Sequence, residues 1–306
     1  MAIILACSAA TVFGVADFVG GTASRRMHPL LVTLLAQLAG VAALLVLAWT
    51  NLGATGGAWH TGSLLWGLLA GVAGGIGMPM LYRALAIGPM NVVAPLVALT
   101  SAVVPVFFGL LFGERPSFLA WVGIVLAVIA GTVVGMSGTP ADEGVALGAA
   151  AGEPLTVAPA RPRTGVVLGL LSGFCFGAFY VLLARTNPVA GLWPVVSARG
   201  AGSVVAGIVL LIALLAMKSR SQAGPANLGW AGWRMAAVAG VLDASANGLY
   251  LLAAQRGQLA VVGSIMGLYP ASTVLLARYL HGERIGPVQR IGLLLAVPAV
   301  VLIGGA

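Results

Sequence analysis

Ten apolar stretches, each about long enough to cross a bilayer, occupy almost the entire chain and fall into two similar sets of five. A helix of ~20 apolar residues spans a ~30 Å hydrocarbon core. Lipid offers the backbone no hydrogen-bond partner, so only helices or closed barrels cross it. These stretches are continuously apolar and lack the period-two alternation of a barrel strand. With 60% hydrophobic and 7% charged residues, the chain has too little polar surface for a water-soluble fold. The predicted class is an all-α integral membrane protein with ten transmembrane helices.

The expected spans are residues 3–23, 29–49, 63–86, 90–112, 117–137, 165–185, 190–217, 233–254, 258–280 and 286–304. The first lacks a basic start and is interrupted by Asp17, so it reads as a span rather than a cleavable signal. Most connections are short, which makes consecutive helices antiparallel neighbours. Residues 138–164 differ: they are rich in Gly, Pro and Ala and hold Asp142, Glu143 and Glu153, three of the chain's seven acids. This stretch reads as a disordered linker. The organisation is thus a first five-helix repeat over 1–137, the linker, and a second repeat over 165–306.

The repeat is legible residue by residue. Gly113-Glu114-Arg115 follows the fourth span, and Gly282-Glu283-Arg284 follows the ninth. At that same offset Gly88 falls on Gly257, Val92 on Val261 and Gly123 on Gly292. Leu5 to Phe18 resembles Leu168 to Tyr180; with Gly14 set on Gly177, Asp17 faces Tyr180, and in the next helix Gln37 faces Arg199. An odd number of helices per repeat makes the second enter the membrane from the opposite side. Such inverted repeats are common in secondary transporters, where two similar halves trade inward-open and outward-open shapes.

Tyr82-Arg83-Ala84-Leu85 closing the third span, and GPMNVVAPLVALTSAVVPVFFGLLFGER over Gly88 to Arg115, resemble EamA-type members of the drug/metabolite transporter superfamily. The ninth span keeps the Gly-Glu-Arg but has Tyr269-Pro270 instead of the Pro95/Pro105 pair. The resemblance implies a ten-helix, multi-pass inner-membrane exporter of a small metabolite, amino acid or drug, working by alternating access. Proton coupling, an uncoupled facilitator and a lipid-carrier flippase of the same fold all stay open.

Cationic residues favour cytoplasmic loops. Odd-numbered connections carry Arg25, Arg26, Arg161, Arg163, Lys218, Arg220, Arg234 and Arg284, whereas even-numbered ones carry Arg115, Arg185 and Arg256. That bias puts both termini outside, while the resemblance implies both in the cytoplasm. The +8 net charge is scattered at helix ends, as membrane anchoring requires, and does not form a nucleic-acid surface.

Charges inside apolar helices cost at least ~2.5 kcal/mol near the centre, so they point to function. Asp243 lies near the middle of the eighth span, and its repeat equivalent is Gly74, so symmetry does not require it. Asn247 lies one turn on, on the same face. Asp243 reads either as a proton-coupling or cation-binding carboxylate or as the structural partner of an intramembrane arginine. Arg199, about two turns into the seventh span, either contacts substrate, neutralises an aspartate or snorkels to the interface. Asp17 either lines a cavity mouth or meets interfacial water, Arg25 or Arg26. Arg83 reads as an interface anchor. Neutral candidates are Gln37, Asn91, Ser101, Tyr180, Tyr250, Ser264 and Tyr269, for each of which interhelical packing with a hydrogen bond competes with a ligand role. The expected solute or coupling set is Asp243, Asn247, Arg199, Tyr269, Asp17 and Gln37.

Pro79, Pro95, Pro105 and Pro270 are expected to perturb the third span and to interrupt the fourth and ninth. Cys7 and Cys175 both lie in apolar helices and read as small hydrophobes. There is no phosphate-binding loop, and His28, His60 and His281 are too dispersed for a metal site. No enzyme activity, cofactor or nucleic-acid partner is expected. The expected partners are a small-molecule substrate, membrane lipids, protons and, as an open alternative, a second copy in a homodimer.

Overall fold

The computed structural model describes residues 1–24, 27, 29–49, 57–88, 90–137, 162–219, 230–281 and 285–305. Its helices are α1 (Ala2–Ser24), α2 (Pro29–Trp49), α3 (Thr61–Ile87), α4 (Met90–Leu111), α5 (Phe118–Ser137), α6 (Pro162–Ala184), α7 (Trp193–Ser219), α8 (Trp230–Ala254), α9 (Leu259–Met266), α10 (Tyr269–His281) and α11 (Pro287–Gly304). A 3-10 turn, Pro188–Ala190, leads into α7. Ten spans are long and apolar enough to cross a membrane, with α9 and α10 together forming the ninth. No strand occurs among the described residues. Leucine, valine and isoleucine side chains point outward along most helices, while aromatic residues sit exposed near helix ends, as Trp49, Trp59, Phe118, Trp230 and Tyr279 do. An apolar flank with terminal aromatics is the surface a bilayer selects.

Two expectations about proline are corrected. α4 runs unbroken through Pro95 and Pro105, where an interruption was expected; α3 also continues through Pro79, which still withholds one N–H from the ladder. The ninth span does break, but at Gly267-Leu268, leaving Pro270 in the first turn of α10, where a missing N–H loses nothing. The break falls where a backbone approaches another helix: a Cβ on Gly131 of α5 would collide with the Gly267 carbonyl. Leu268 N–H still donates to Ile265 O at 3.0 Å, and Ala271 N–H to Leu268 O at 3.0 Å. The backbone thus stays paired through the kink, as lipid demands.

The linker over 138–164 lies outside the described residues except for its last three, which already belong to the start of α6. The second Gly-Glu-Arg run, Gly282 to Arg284, also lies outside them.

Packing reproduces the repeat. α1 lies along α8 as α3 lies along α6; α2 meets α8 as α3 meets α7; α4 meets α6 as the α9–α10 span meets α1. Three further contacts, α2 with α7, α4 with α9 and α5 with α11, join equivalent elements across the pseudo-two-fold axis. The extensive contacts therefore run between repeats, and the core lies where they interlock. Glycines make the close crossings. A Cβ on Gly71 would strike the Ala198 carbonyl, and one on its equivalent Gly240 would strike the Ala36 carbonyl. On Gly123 it would lie 2.6 Å from Ile303 Cγ1 and 2.9 Å from Ala299 O; on Gly292, 2.6 Å from Val134 Cγ2 and 3.0 Å from Ala130 O. Without a hydrophobic drive between helices in lipid, such small-residue contacts supply the packing.

Candidate functional site

Near the pseudo-two-fold axis, α2 and α7 cross beside α8, and the polar residues converge there. Gly202 opens the space one turn from Arg199; a Cβ on it would sit 2.7 Å from Gln37 Nε2. Gly40 does the same on the other side, with its Cβ position 2.9 Å from Gly240 O. Into this gap Arg199, only 8% exposed, projects from α7. Its Nη1 donates to Gln37 Oε1 at 2.6 Å. Its Nη2 forms an ion pair with Asp243 Oδ2 on α8. Asn247 Nδ2 donates to the Asp243 main-chain carbonyl at 2.8 Å and to Asp243 Oδ1 at 3.3 Å.

Four of the six expected residues thus form one chain of contacts, Gln37–Arg199–Asp243–Asn247, crossing from the first repeat to the second. The ion pair named as one reading of Asp243 is present. Asp243 keeps 28% of its side chain exposed against 9% for Arg199, so the carboxylate is the wetter partner. Asn247 is 3% exposed, and its Oδ1 has no hydrogen-bond partner among the described residues. A buried acceptor left unpaired costs about 1–3 kcal/mol, which favours a donor arriving from elsewhere.

Asp17 lies at the edge of the same electrostatic neighbourhood: the Tyr180 hydroxyl on α6 feels the charges of Asp243, Asp17 and Arg199. Tyr180 is packed against Tyr250, with ring centroids 4.6 Å apart, and against Phe179 at 5.3 Å. Tyr250, fully buried, donates its hydroxyl to the Tyr180 carbonyl at 2.8 Å, which is the packing role expected of it. Tyr269 stands at the crossing of α1 and α10, edge-on to Phe13 at 5.1 Å, one turn along α1 from Asp17. Ser101 and Ser264 bond back to their own helices, at Ala98 O and Val261 O. Arg83 is exposed near the end of α3, as an anchor should be. The side chain of Asn91, and Arg25 and Arg26 as partners for Asp17, lie outside the described residues.

One functional-looking contact was not anticipated. Glu114, in the first Gly-Glu-Arg run, accepts from Leu259 N–H at 2.5 Å and Ala260 N–H at 2.9 Å, capping the N-terminus of α9 from the other repeat. A carboxylate at a helix N-terminus satisfies free N–H groups and meets the positive end of the dipole. An acid placed directly after one span, with a new helix starting at the equivalent edge of the other repeat, was the available signal. No group of three His, Cys, Asp or Glu residues is placed to hold a metal ion among the described residues.

One solved crystal structure superposes with TM-score 0.70 over 98% of this chain and 95% of its own, at 18% identity, which shows a shared fold. Among curated proteins, none matches the sequence significantly. The sequence pattern of the EamA-like transporter family matches residues 1–136 and again 163–305, one match for each repeat. A multi-pass helical membrane protein with this doubled pattern belongs to the EamA-like transporter family.

Proposed function

We propose that this transporter exports a small metabolite, amino acid or drug across the inner membrane by alternating access, and that Asp243 couples the movement to protons. The observation that carries this reading is the Gln37–Arg199–Asp243 bridge between the repeats. While Asp243 is ionised, Arg199 is held by both repeats at once. A proton on Asp243 removes the charge that holds Arg199 to α8, leaving Arg199 on Gln37 alone. α8 is then freer to shift against α2 and α7, and the equilibrium between the two shapes moves accordingly. The membrane potential adds ~2.3 kcal/mol per charge per 100 mV, enough to drive export against a gradient. Asn247 Oδ1 is the acceptor offered to the solute, with Asp17 and Tyr269 at the flank. The proposed path runs beside α8 and beside α2 and α7, which carry Gln37 and Arg199.

The ion pair itself favours a second reading, an uncoupled facilitator in which Asp243 only neutralises Arg199. Proteoliposomes loaded with a pH-sensitive dye separate the two. The chain is challenged with pooled amino acids, sugars, nucleosides and cationic drugs. Coupling predicts solute-triggered proton movement that is abolished in Asp243→Asn while the variant stays folded. Solute movement without proton movement, in both forms, overturns the coupled reading and leaves the facilitator.

A further inference from the structure

The two repeats differ most at one membrane edge. α4 packs along α5, whereas the equivalent α10 touches α11 over only a few residues. Between α10 and α11 opens a cleft of about 660 Å³, lined by Arg278, Ile285, Gly286, Pro287 and Arg290. That volume lies within the ~300–1,000 Å³ range of ligand clefts. In the first repeat, Gly109 stands where Arg278 stands and Trp121 where Arg290 stands. Among the described residues, this edge therefore carries small or apolar residues in one repeat and two arginines in the other. Symmetry does not require the arginines.

Their position says what they face. Arg278 is in the last turn of α10 and Arg290 in the first turn of α11, so both lie at the end of a span, at headgroup depth. Towards the membrane interior the flanks turn apolar: Leu275 and Ile291 are exposed, and Leu294 is 73% exposed. Tyr279, 81% exposed beside Arg278, is the amphipathic side chain that interfaces favour. Cations at the mouth of a cleft whose walls continue into lipid suit an anionic head with acyl chains attached. Basic pockets between spans hold anionic lipid headgroups in this way.

We propose that the α10–α11 cleft is a binding site for an anionic phospholipid, with Arg278 and Arg290 on the phosphate and the exposed faces of α10 and α11 along the acyl chains. This site is separate from the Arg199–Asp243 cluster, and its occupancy does not depend on what the transporter carries.

Native mass spectrometry of the full chain in neutral detergent tests it, with phosphatidylglycerol, phosphatidylcholine and inorganic phosphate as the probes. Phosphatidylglycerol is expected to be retained in preference to phosphatidylcholine. Each arginine near a membrane surface strengthens anionic binding by about fivefold, so Arg290→Gln should weaken it about fivefold and Arg278→Gln/Arg290→Gln about 25-fold. Arg290→Lys, which keeps the charge, should retain most of the binding, and Arg256→Gln, an exposed arginine at another connection, should change nothing. Arg290 is exposed, so its single variants keep the test valid if the double variant fails to fold. Equal retention of the two lipids, unchanged binding in Arg290→Gln, an equal loss in Arg256→Gln, or displacement of phosphatidylglycerol by phosphate alone would each overturn the proposal.

Discussion

α2 and α7 occupy equivalent places in the two repeats, yet one presents an amide, Gln37, and the other a guanidinium, Arg199, and the two bond to each other near the axis. Beside them, α8 carries Asp243 where α3 carries Gly74, which instead packs near Phe179. Elsewhere in the scaffold, at the α5–α11 crossing, the contacts of Gly123 and Gly292 match to within a few tenths of an ångström. Packing is thus shared between the repeats, and charge is not. The lesson is that duplication supplied the frame, while the residues that break the symmetry mark the work of the molecule.

That contrast can be broken at several points. The largest effect is expected at the asymmetric pair. Arg199→Gln leaves Asp243 without its counter-charge and should destabilise the fold by about 3–5 kcal/mol. Adding Asp243→Asn should restore much of the loss; a double variant no better than the single would show that the pair is not a unit. Thermal unfolding in detergent reads both.

Next come the symmetric crossings. Gly71→Ala and Gly240→Ala each drive a methyl into a facing carbonyl and should cost about 1–3 kcal/mol, by similar amounts. Markedly unequal losses would mean that the halves do not carry equal packing loads. Glu114→Gln keeps one acceptor for α9 but removes the charge, and a loss of about 1 kcal/mol is expected, shrinking as salt is raised. Gly207→Ala in α7 meets nothing within 4 Å and should raise stability by about 0.5–1 kcal/mol. A loss there would show an unrecognised close approach.

Much of this was readable from the chain. Ten spans follow from apolar length alone, and the Gly14–Gly177 and Gly123–Gly292 equivalences follow from the repeat. Asn247 joining Asp243 follows from helical spacing. The Arg199–Asp243 bond was one of two open readings, because sequence places charges at a depth but does not say which helix faces which. The break at Gly267 was displaced from Pro270 because it depends on Gly131 of a distant helix, and proline effects were read only locally. The Glu114 cap was missed for the same reason: its partners are Leu259 and Ala260, in the opposite repeat.

Alternation between the repeats is the central claim, and paired spin-label distances test it most directly. One pair spans the α1–α10 crossing near Gly14, where a Cβ would lie 2.5 Å from Tyr269 O; the other spans the α6–α4 crossing near Gly177, where it would lie 2.5 Å from Val104 Cβ. In nanodiscs across a pH series, the account predicts two distances for each pair, one widening as the other closes, with the distributions of Asp243→Asn no longer changing with pH. A single unchanging distance at both crossings would contradict it.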